Sequence, residues 1–215
     1  MTQHPFRIVY DLTGCFYVGR AYIRNRRQWD GIKYGTAGGT SMQIFQEKEA
    51  LQDVSFTLRK GICGLLGENG AGKSTLMRIM ATVDFPTKGN IRYGGMDIFG
   101  MDAEYRSLIG YMPQDYNVYP GFTAKDFLEY MGVLKGIPET KLKDRIMEVL
   151  EFVNLSEAAD KKVKTFSGGM KRRIGIAQAI INEPKILILD EPTAGLDPKE
   201  RIRFSNIISD MGKDK

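Results

Sequence analysis

Residues 67–75 read Gly-Glu-Asn-Gly-Ala-Gly-Lys-Ser-Thr. This is the G-x-x-x-x-G-K-[ST] pattern, and it lies between an apolar run that suits a strand and a segment that suits a helix. Glycines at these spacings let backbone N–H groups curl around phosphate oxygens without obstruction by a Cβ. A helix starting at Lys73 adds about half a positive charge at its N-terminus. Gly67, Glu68, Asn69, Gly70, Ala71, Gly72, Lys73, Ser74 and Thr75 are therefore candidate nucleotide-binding residues. Lys73 would reach the β and γ phosphates of a nucleoside triphosphate, and the Ser74 hydroxyl would ligate Mg²⁺.

Two further stretches carry chemistry. "ILILDEP" ends an apolar strand in two acids, Asp190 and Glu191. Strand ends in open α/β sheets face the ligand crevice. Asp190 is placed to hold Mg²⁺ opposite Ser74, and Glu191, one residue further, to polarise an attacking water. The third stretch, "TFSGGMKRRIGIAQAI" (Thr165–Ile180), opens a helix with Gly168 and Gly169. Each glycine costs a helix interior about 1 kcal/mol relative to alanine, so the pair asks for a reason. Behind it, Met170, Ile174, Ala177 and Ile181 form an apolar stripe that would anchor the helix. Lys171, Arg172 and Arg173 read mostly as a solvated face.

The elements that position these residues follow from pattern. "ALQDVSFTL" alternates apolar and polar at Leu51, Val54, Phe56 and Leu58, apart from one extra residue between Leu51 and Val54, which suits a half-buried strand. "GICGLLG" is a short apolar run ending in glycine, expected of a buried parallel strand. A helix should run from Lys73 to about Val83, followed by a turn at Pro86 and Gly89 and a short strand in "NIRYGG". A helix starting at Thr123, with Asp126 three positions on, resembles a capping box. A second, from Glu139 to Val153, puts Leu142, Ile146, Val149, Leu150 and Val153 on one face. "KILILD" is a further strand. Strands alternating with helices imply an α/β domain around a mainly parallel sheet.

The chain has 215 residues, ordinary hydrophobic and charged fractions and a net charge of +5. Residues 1–44 hold six basic residues against two acidic ones, interleaved with aromatics. That segment could touch nucleic acid or acidic lipid, but no nucleic-acid motif accompanies the charge, so it reads as a basic, aromatic N-terminal segment (1–41) joined by the linker "YGTAGGTS". Cys15 and Cys63 lie far apart and suggest a reducing, cytosolic setting. No apolar run approaches the ~20 residues that cross a bilayer, and no signal pattern opens the chain.

The motifs together resemble the nucleotide-binding subunit of the ATP-binding cassette (ABC) transporters, of the bacterial exporter type. The order is Walker A at Gly67–Thr75, Gln114 in "YMPQD", the signature "FSGGM" at Phe166–Met170, Walker B in "ILILDE" and "GLDP" at Gly195–Pro198. The match covers about 45–211. It implies a phosphate-loop NTPase with a mainly parallel central sheet, an antiparallel β subdomain and an inserted helical subdomain at about 116–164, the ATPase domain spanning 42–215. It also implies a head-to-tail dimer of cassettes with two ATP molecules at the interface. Ser167, Gly168 and Gly169 would face the γ phosphate held by the other subunit, the glycines permitting close backbone approach. Gln114 would contact Mg²⁺ and water at a hinge, Asp197 would link the two sites across the dimer, and Phe45 would stack on adenine. The implied partners are ATP, Mg²⁺, a second cassette subunit and an integral membrane permease, with no nucleic acid and a location at the cytoplasmic face of the membrane. The helical subdomain would offer the permease a groove.

The chain departs from the family in two places. A further strand after "NIISDMGKDK", ending in a histidine at the γ phosphate, is expected, but the chain stops at Lys215 and its only histidine is His4. This reads as a shortened C-terminal end, which would expose an edge of the catalytic sheet. Residues 1–41 do not read like the family's opening strand. Two alternatives to a transport ATPase stay open: an ATP-binding module without turnover, and a non-transport cassette ATPase acting on ribosomes or DNA.

Overall fold

Alternation along the strand Ile186–Leu189 divides the protein into two cores. Ile186 and Ile188 join a buried cluster with Leu76, Met77, Ile79 and Met80. Leu187 and Leu189 join another with Leu128, Leu150, Ile174 and Ala177. Successive strand residues point to opposite faces, so an unbroken apolar run marks a strand covered on both sides. All four residues of this strand are buried, none more than 1% exposed.

The computed structural model describes the backbone of residues 7–11, 16–25, 33–37, 40–44, 48–58, 61–115, 119, 121–194 and 196–213. Side chains are described for 51, 54–58, 61–115, 119, 121–194 and 196–206. In chain order the elements are β1 (Arg7–Asp11), β2 (Phe16–Asn25), β3 (Lys33–Ala37), β4 (Thr40–Ile44), β5 (Lys48–Leu58) and β6 (Gly61–Leu65). Then come α1 (Lys73–Met80), β7 (Ile91–Tyr93), β8 (Met96–Asp97), α2 (Ile98–Met101), α3 (Ala103–Leu108) and β9 (Ile109–Met112). The helices α4 (Ala124–Leu134), α5 (Glu139–Phe152) and α6 (Gly168–Ile180), the strand β10 (Ile186–Leu189) and the helix α7 (Pro198–Lys213) complete the chain.

One sheet has the order β6-β1-β10-β9. β10 and β9 pair in parallel, and β1 is antiparallel to both β6 and β10. β6, β10 and β9 therefore share one direction, and their C-terminal ends share one edge. A second sheet, β5-β2-β7-β8, is antiparallel. The α/β class and the separate antiparallel β part are as expected, but the first sheet is mixed: β10 and β9 pair in parallel, whereas β1 enters between β6 and β10 antiparallel to both. β1 and β2 come from the segment read as a basic N-terminal extension, yet their backbones are built into both sheets. "YGTAGGTS" contributes to the antiparallel pair β3-β4 instead of acting as a plain linker; Gly-Gly between two short runs is also a hairpin signal.

"GICGLLG" does not form a buried strand. β6 stands at a sheet edge, and Ile62 is 61% exposed. α1 also stops short of Val83. Thr82 takes a left-handed φ of 55°, and the Arg78 guanidinium grips the Asp84 carboxylate at 2.6 and 3.1 Å. In contrast, α4 has the expected cap: Asp126 N–H donates to Thr123 Oγ1 at 3.1 Å, and Thr123 N–H donates to Asp126 Oδ2 at 2.9 Å. The stripe of α5 is buried as its spacing predicts.

α6 is central, packing on β9 and against α4 and α5. Ile174 through Ile181 are all buried, so its covered surface is wider than a single stripe. Gly110 on β9 makes this packing possible. A Cβ there would lie 1.9 Å from the Ala179 carbonyl oxygen.

Candidate functional site

The phosphate loop follows the C-terminal end of β6. Gly70 and Gly72 hold left-handed φ values of 85° and 82°, which an L side chain strains to adopt. Gly72 precedes α1 without a side-chain cap, and the first turn of α1 has no acid. The helix N-terminus therefore keeps N–H donors and a positive dipole for an anion. Lys73 is only 7% exposed, and its ammonium donates to the carbonyls of Gly67 and Glu68. The loop thus curls around a buried cation. Ser74 and Thr75 lie half-buried in the first turn of α1.

Asp190 and Glu191 follow the C-terminal end of β10 and are 1% and 8% exposed. The Asp190 N–H donates to the Met112 carbonyl at 2.9 Å, locking the start of the acidic pair to β9. Glu191 is in the left-handed region, φ 49°, a conformation that costs a non-glycine residue on the order of 1 kcal/mol or more. Such strain turns the chain sharply out of the strand at the residue read as the water-polarising base. The two acids stand two strand positions from β6, roughly 9.5 Å across the sheet. Burial, with the Asp190 carboxylate adding to it, pushes the neighbouring Tyr111 up to about 12. Tyr111 therefore stays a neutral hydroxyl at physiological pH.

Gln114 lies two residues beyond the end of β9, on the same edge. Its side chain is exposed. Arg172 Nη1 donates to the Gln114 carbonyl at 2.9 Å, which ties this loop to α6. At the start of α6, Ser167 Oγ accepts from Met170 N–H at 3.2 Å. A hydroxyl that accepts one bond still has its O–H to donate, so Ser167 caps the helix without using up its donor.

The two signature glycines have different surroundings. A Cβ on Gly168 would meet nothing within 4 Å, whereas one on Gly169 would lie 2.8 Å from Glu200 Oε2. Gly168 is open to an incoming ligand; Gly169 makes room for a carboxylate of the chain itself. The basic triplet also departs from the expected solvated face. Lys171 is exposed, but Arg172 holds Gln114, and Arg173 donates to the Asn154 carbonyl at 3.1 Å and stands 3.6 Å from Glu200. Long cationic side chains pack their stems along the protein, and here their heads reach carbonyls just past a strand and just past a helix, which charge spacing alone does not reveal.

Asp197 is exposed, and its Oδ1 accepts from Glu200 N–H at 2.9 Å, capping α7. Phe45 and Gly195 lie outside the described residues. Gln178 was missed in the sequence. It is 7% exposed and donates to the Tyr111 carbonyl at 3.0 Å, holding the β9 end against α6. A lone glutamine in an apolar helix face was its only signal. Beside it, a cavity of about 460 Å³ opens between β9 and α4, lined by Tyr111, Tyr119, Tyr130, Leu134, Lys135 and Gln178 among others. Burial lowers the Lys135 ammonium, which donates to the Ile109 carbonyl at 3.0 Å.

For Mg²⁺ the donor set fits. The Ser74 hydroxyl, Asp190 carboxylate and Gln114 amide are hard oxygen donors. Among the described residues no group of three or more His, Cys, Asp or Glu side chains could hold a metal alone. A cation here would draw the rest of its shell from phosphate and water.

The parallel strands, the loop at the end of β6 and the acids at the end of β10 define a phosphate-loop nucleotide-binding domain. The family model described as ABC transporter (ABC_tran) matches residues 51–194. The chain belongs to this family. It is 44% identical over 172 residues to the linearmycin resistance ATP-binding protein LnrL of Bacillus subtilis (strain 168), covering 80% of this chain and 55% of that one. Over 170 residues it is 42% identical to the ABC transporter ATP-binding protein YxlF of the same organism, covering 79% and 56%. With the Nod factor export ATP-binding protein I of Ralstonia nicotianae it shares 39% over 158 residues, covering 73% and 49%. The chain thus spans about half the length of the curated relatives it matches. A solved structure, the ATP-binding subunit of an ABC transporter, superposes with a TM-score of 0.67 at 23% identity, over 93% of this chain and 75% of that one. That likeness speaks for the fold. Among the described residues no helix is long and apolar enough to cross a membrane.

Proposed function

We propose that this chain is the ATP-binding and ATP-hydrolysing part of a transporter, working by export across a membrane through a separate permease. The observation that carries this reading is the common edge. The cradle of Lys73, the buried pair Asp190 and Glu191, and Gln114 all follow strands that end on the same side. Lys73 and the N–H groups of α1 would neutralise phosphate charge without reorganising. Ser74, Asp190 and Gln114 would hold Mg²⁺, which supplies further charge neutralisation at the phosphates. Glu191 would orient water and take its proton.

Ser167 and Gly168 open outward at the N-terminus of α6, a geometry suited to the γ phosphate of a nucleotide held by a second cassette. A head-to-tail dimer satisfies both halves at once, with Asp197 between them and Phe45 as the adenine platform. The cavity beside β9 and α4 is apolar and aromatic at its rim and joins the Gln114 loop to the helical subdomain (about 116–164). It suits an inserted helix of the permease at the cytoplasmic face. Two relatives named for resistance and for export favour the outward direction.

The test is steady-state Mg-ATP hydrolysis by the chain, with Glu191→Gln as control. Turnover that falls at least 100-fold in the variant, with nucleotide binding retained, is the expected result; loss of one positioned base is worth about this much. Nucleotide binding with no turnover in the unaltered chain would replace this reading by that of a binding module.

A further inference from the structure

We propose that Arg173 and Glu200 form a positioning latch that makes the start of α6 and the Asp197 turn a single moving unit. The proposal rests on the reading that Ser167, Gly168 and Asp197 meet a partner cassette.

Glu200 sits in the first turn of α7, and its contacts tie that turn to its own cap, to the next turn of α7 and to α6. Its N–H is held by Asp197 Oδ1 at 2.9 Å. Its Oε1 accepts from Arg203 Nη1 at 2.9 Å. Its Oε2 lies 3.6 Å from Arg173 Nε, against the first turn of α6. The side chains of Arg173 and Glu200 are 14% and 17% exposed, so the pair is largely withdrawn from water. Arg173 Nε is buried and makes no hydrogen bond; Glu200 is the acid within ion-pair reach of it among the described residues. On its other side Arg173 donates to the Asn154 carbonyl just past α5.

Gly169 lies beside this pair in the first turn of α6. A Cβ on it would lie 2.8 Å from Glu200 Oε2, so its absence leaves room for the carboxylate beside the helix start. A carboxylate at a helix N-terminus is favourable to the helix, but unopposed it would repel a phosphate arriving at Ser167 and Gly168. Arg173 and Arg203 offset that charge while leaving the Gly168 face open. The consequence is mechanical as well as electrostatic. Asp197 caps the helix that carries Glu200, and Arg173 belongs to the helix that Ser167 caps, so neither end shifts without the other. Glu200 and Arg173 are positioning residues and touch no substrate.

The experiment uses the full chain and the variants Glu200→Ala, Arg173→Met and the double variant. Amide hydrogen exchange reads the latch directly and does not require turnover. Each single variant should raise exchange together at 170–172 and at 196–201, and the double variant should add little more. Fluorescent-nucleotide affinity should stay within twofold, while kcat for Mg-ATP falls about tenfold. Glu200→Gln, which keeps the shape and an acceptor, should recover part of kcat. Exchange that rises on α7 alone overturns the proposal, as does an unchanged kcat in Glu200→Ala. If the unaltered chain shows no Glu191-dependent hydrolysis, the proposed function fails, and the exchange pattern still decides the latch.

Discussion

Gly110→Ala adds one methyl group at the seam between β9 and α6. The new Cβ would lie 1.9 Å from Ala179 O, 2.9 Å from Ala179 C and 2.9 Å from Pro184 Cγ. An ordinary C···O contact is about 3.3 Å or more, so the two elements must separate by more than 1 Å at the clash. The obstruction is backbone, and no rotamer change relieves it. Separation stretches the bonds across the seam, from Gln178 to the Tyr111 carbonyl at 3.0 Å and from Asn182 to the Ile109 carbonyl at 3.2 Å. Overpacking costs about 1–3 kcal/mol, and each weakened hydrogen bond adds about 1 kcal/mol. The expected loss is therefore on the order of 3 kcal/mol, a fall in Tm of roughly 6–12 °C for a chain of this size. Thermal and urea unfolding followed by circular dichroism measure it. Gly100→Ala is the control, since a Cβ there meets nothing within 4 Å. A Gly110→Ala protein melting within about 2 °C of the unaltered one, under 1 kcal/mol by the same scaling, would refute the packing account of this glycine.

Other outcomes follow from particular contacts. Arg145 donates from Nε to the Ile181 carbonyl at 2.9 Å and from Nη2 to the Ile180 carbonyl at 2.8 Å, binding α5 to the C-terminal end of α6. Arg145→Met should cost about 2 kcal/mol in urea unfolding, because charged donors to helix-end carbonyls are among the stronger bonds; no change in the midpoint would show that water replaces them without loss. The backbone N–H of Thr123, followed by its side chain, holds the Asp126 carboxylate below its usual 3.8. Its folded-state pKa is depressed, so its contribution is fully present above 3.8 and is lost as pH falls through the lower folded value. Comparing Tm against pH for the unaltered chain and Asp126→Asn should show a gap above pH 4.5, roughly the top of this titration, that closes in more acidic buffer. A gap constant across that window would remove the charge from the explanation.

Much of the site was legible because its chemistry is local. The phosphate loop needs glycines and a lysine at fixed spacing, and that spacing survives any tertiary arrangement. Thr123 and Asp126 lie within one helical turn, so their reciprocal bonds follow from sequence distance, even with aspartate where the box favours glutamate or glutamine. The unbroken "ILIL" announced a strand buried on both faces, and the α5 stripe announced one covered face. Periodicity reports that a face is covered and does not report by what. For that reason "GICGLLG" misled: an apolar run at a sheet edge reads like one in the middle, and only the strand order puts β6 at the rim. The placement of β1 between β6 and β10 had no local signal, since pairing depends on strands 50 or more residues away. The arginines of α6 show the same limit. Arg172 meets a carbonyl 58 positions away, and Arg173 meets a carboxylate on another helix. Gly169 looked like its neighbour in the sequence, but tertiary packing gave it a different task. Residue type and spacing determined the phosphate chemistry; which side chains lie together across distant elements was decided by the fold, because contact there is set by how helices and strands pack and not by distance along the chain.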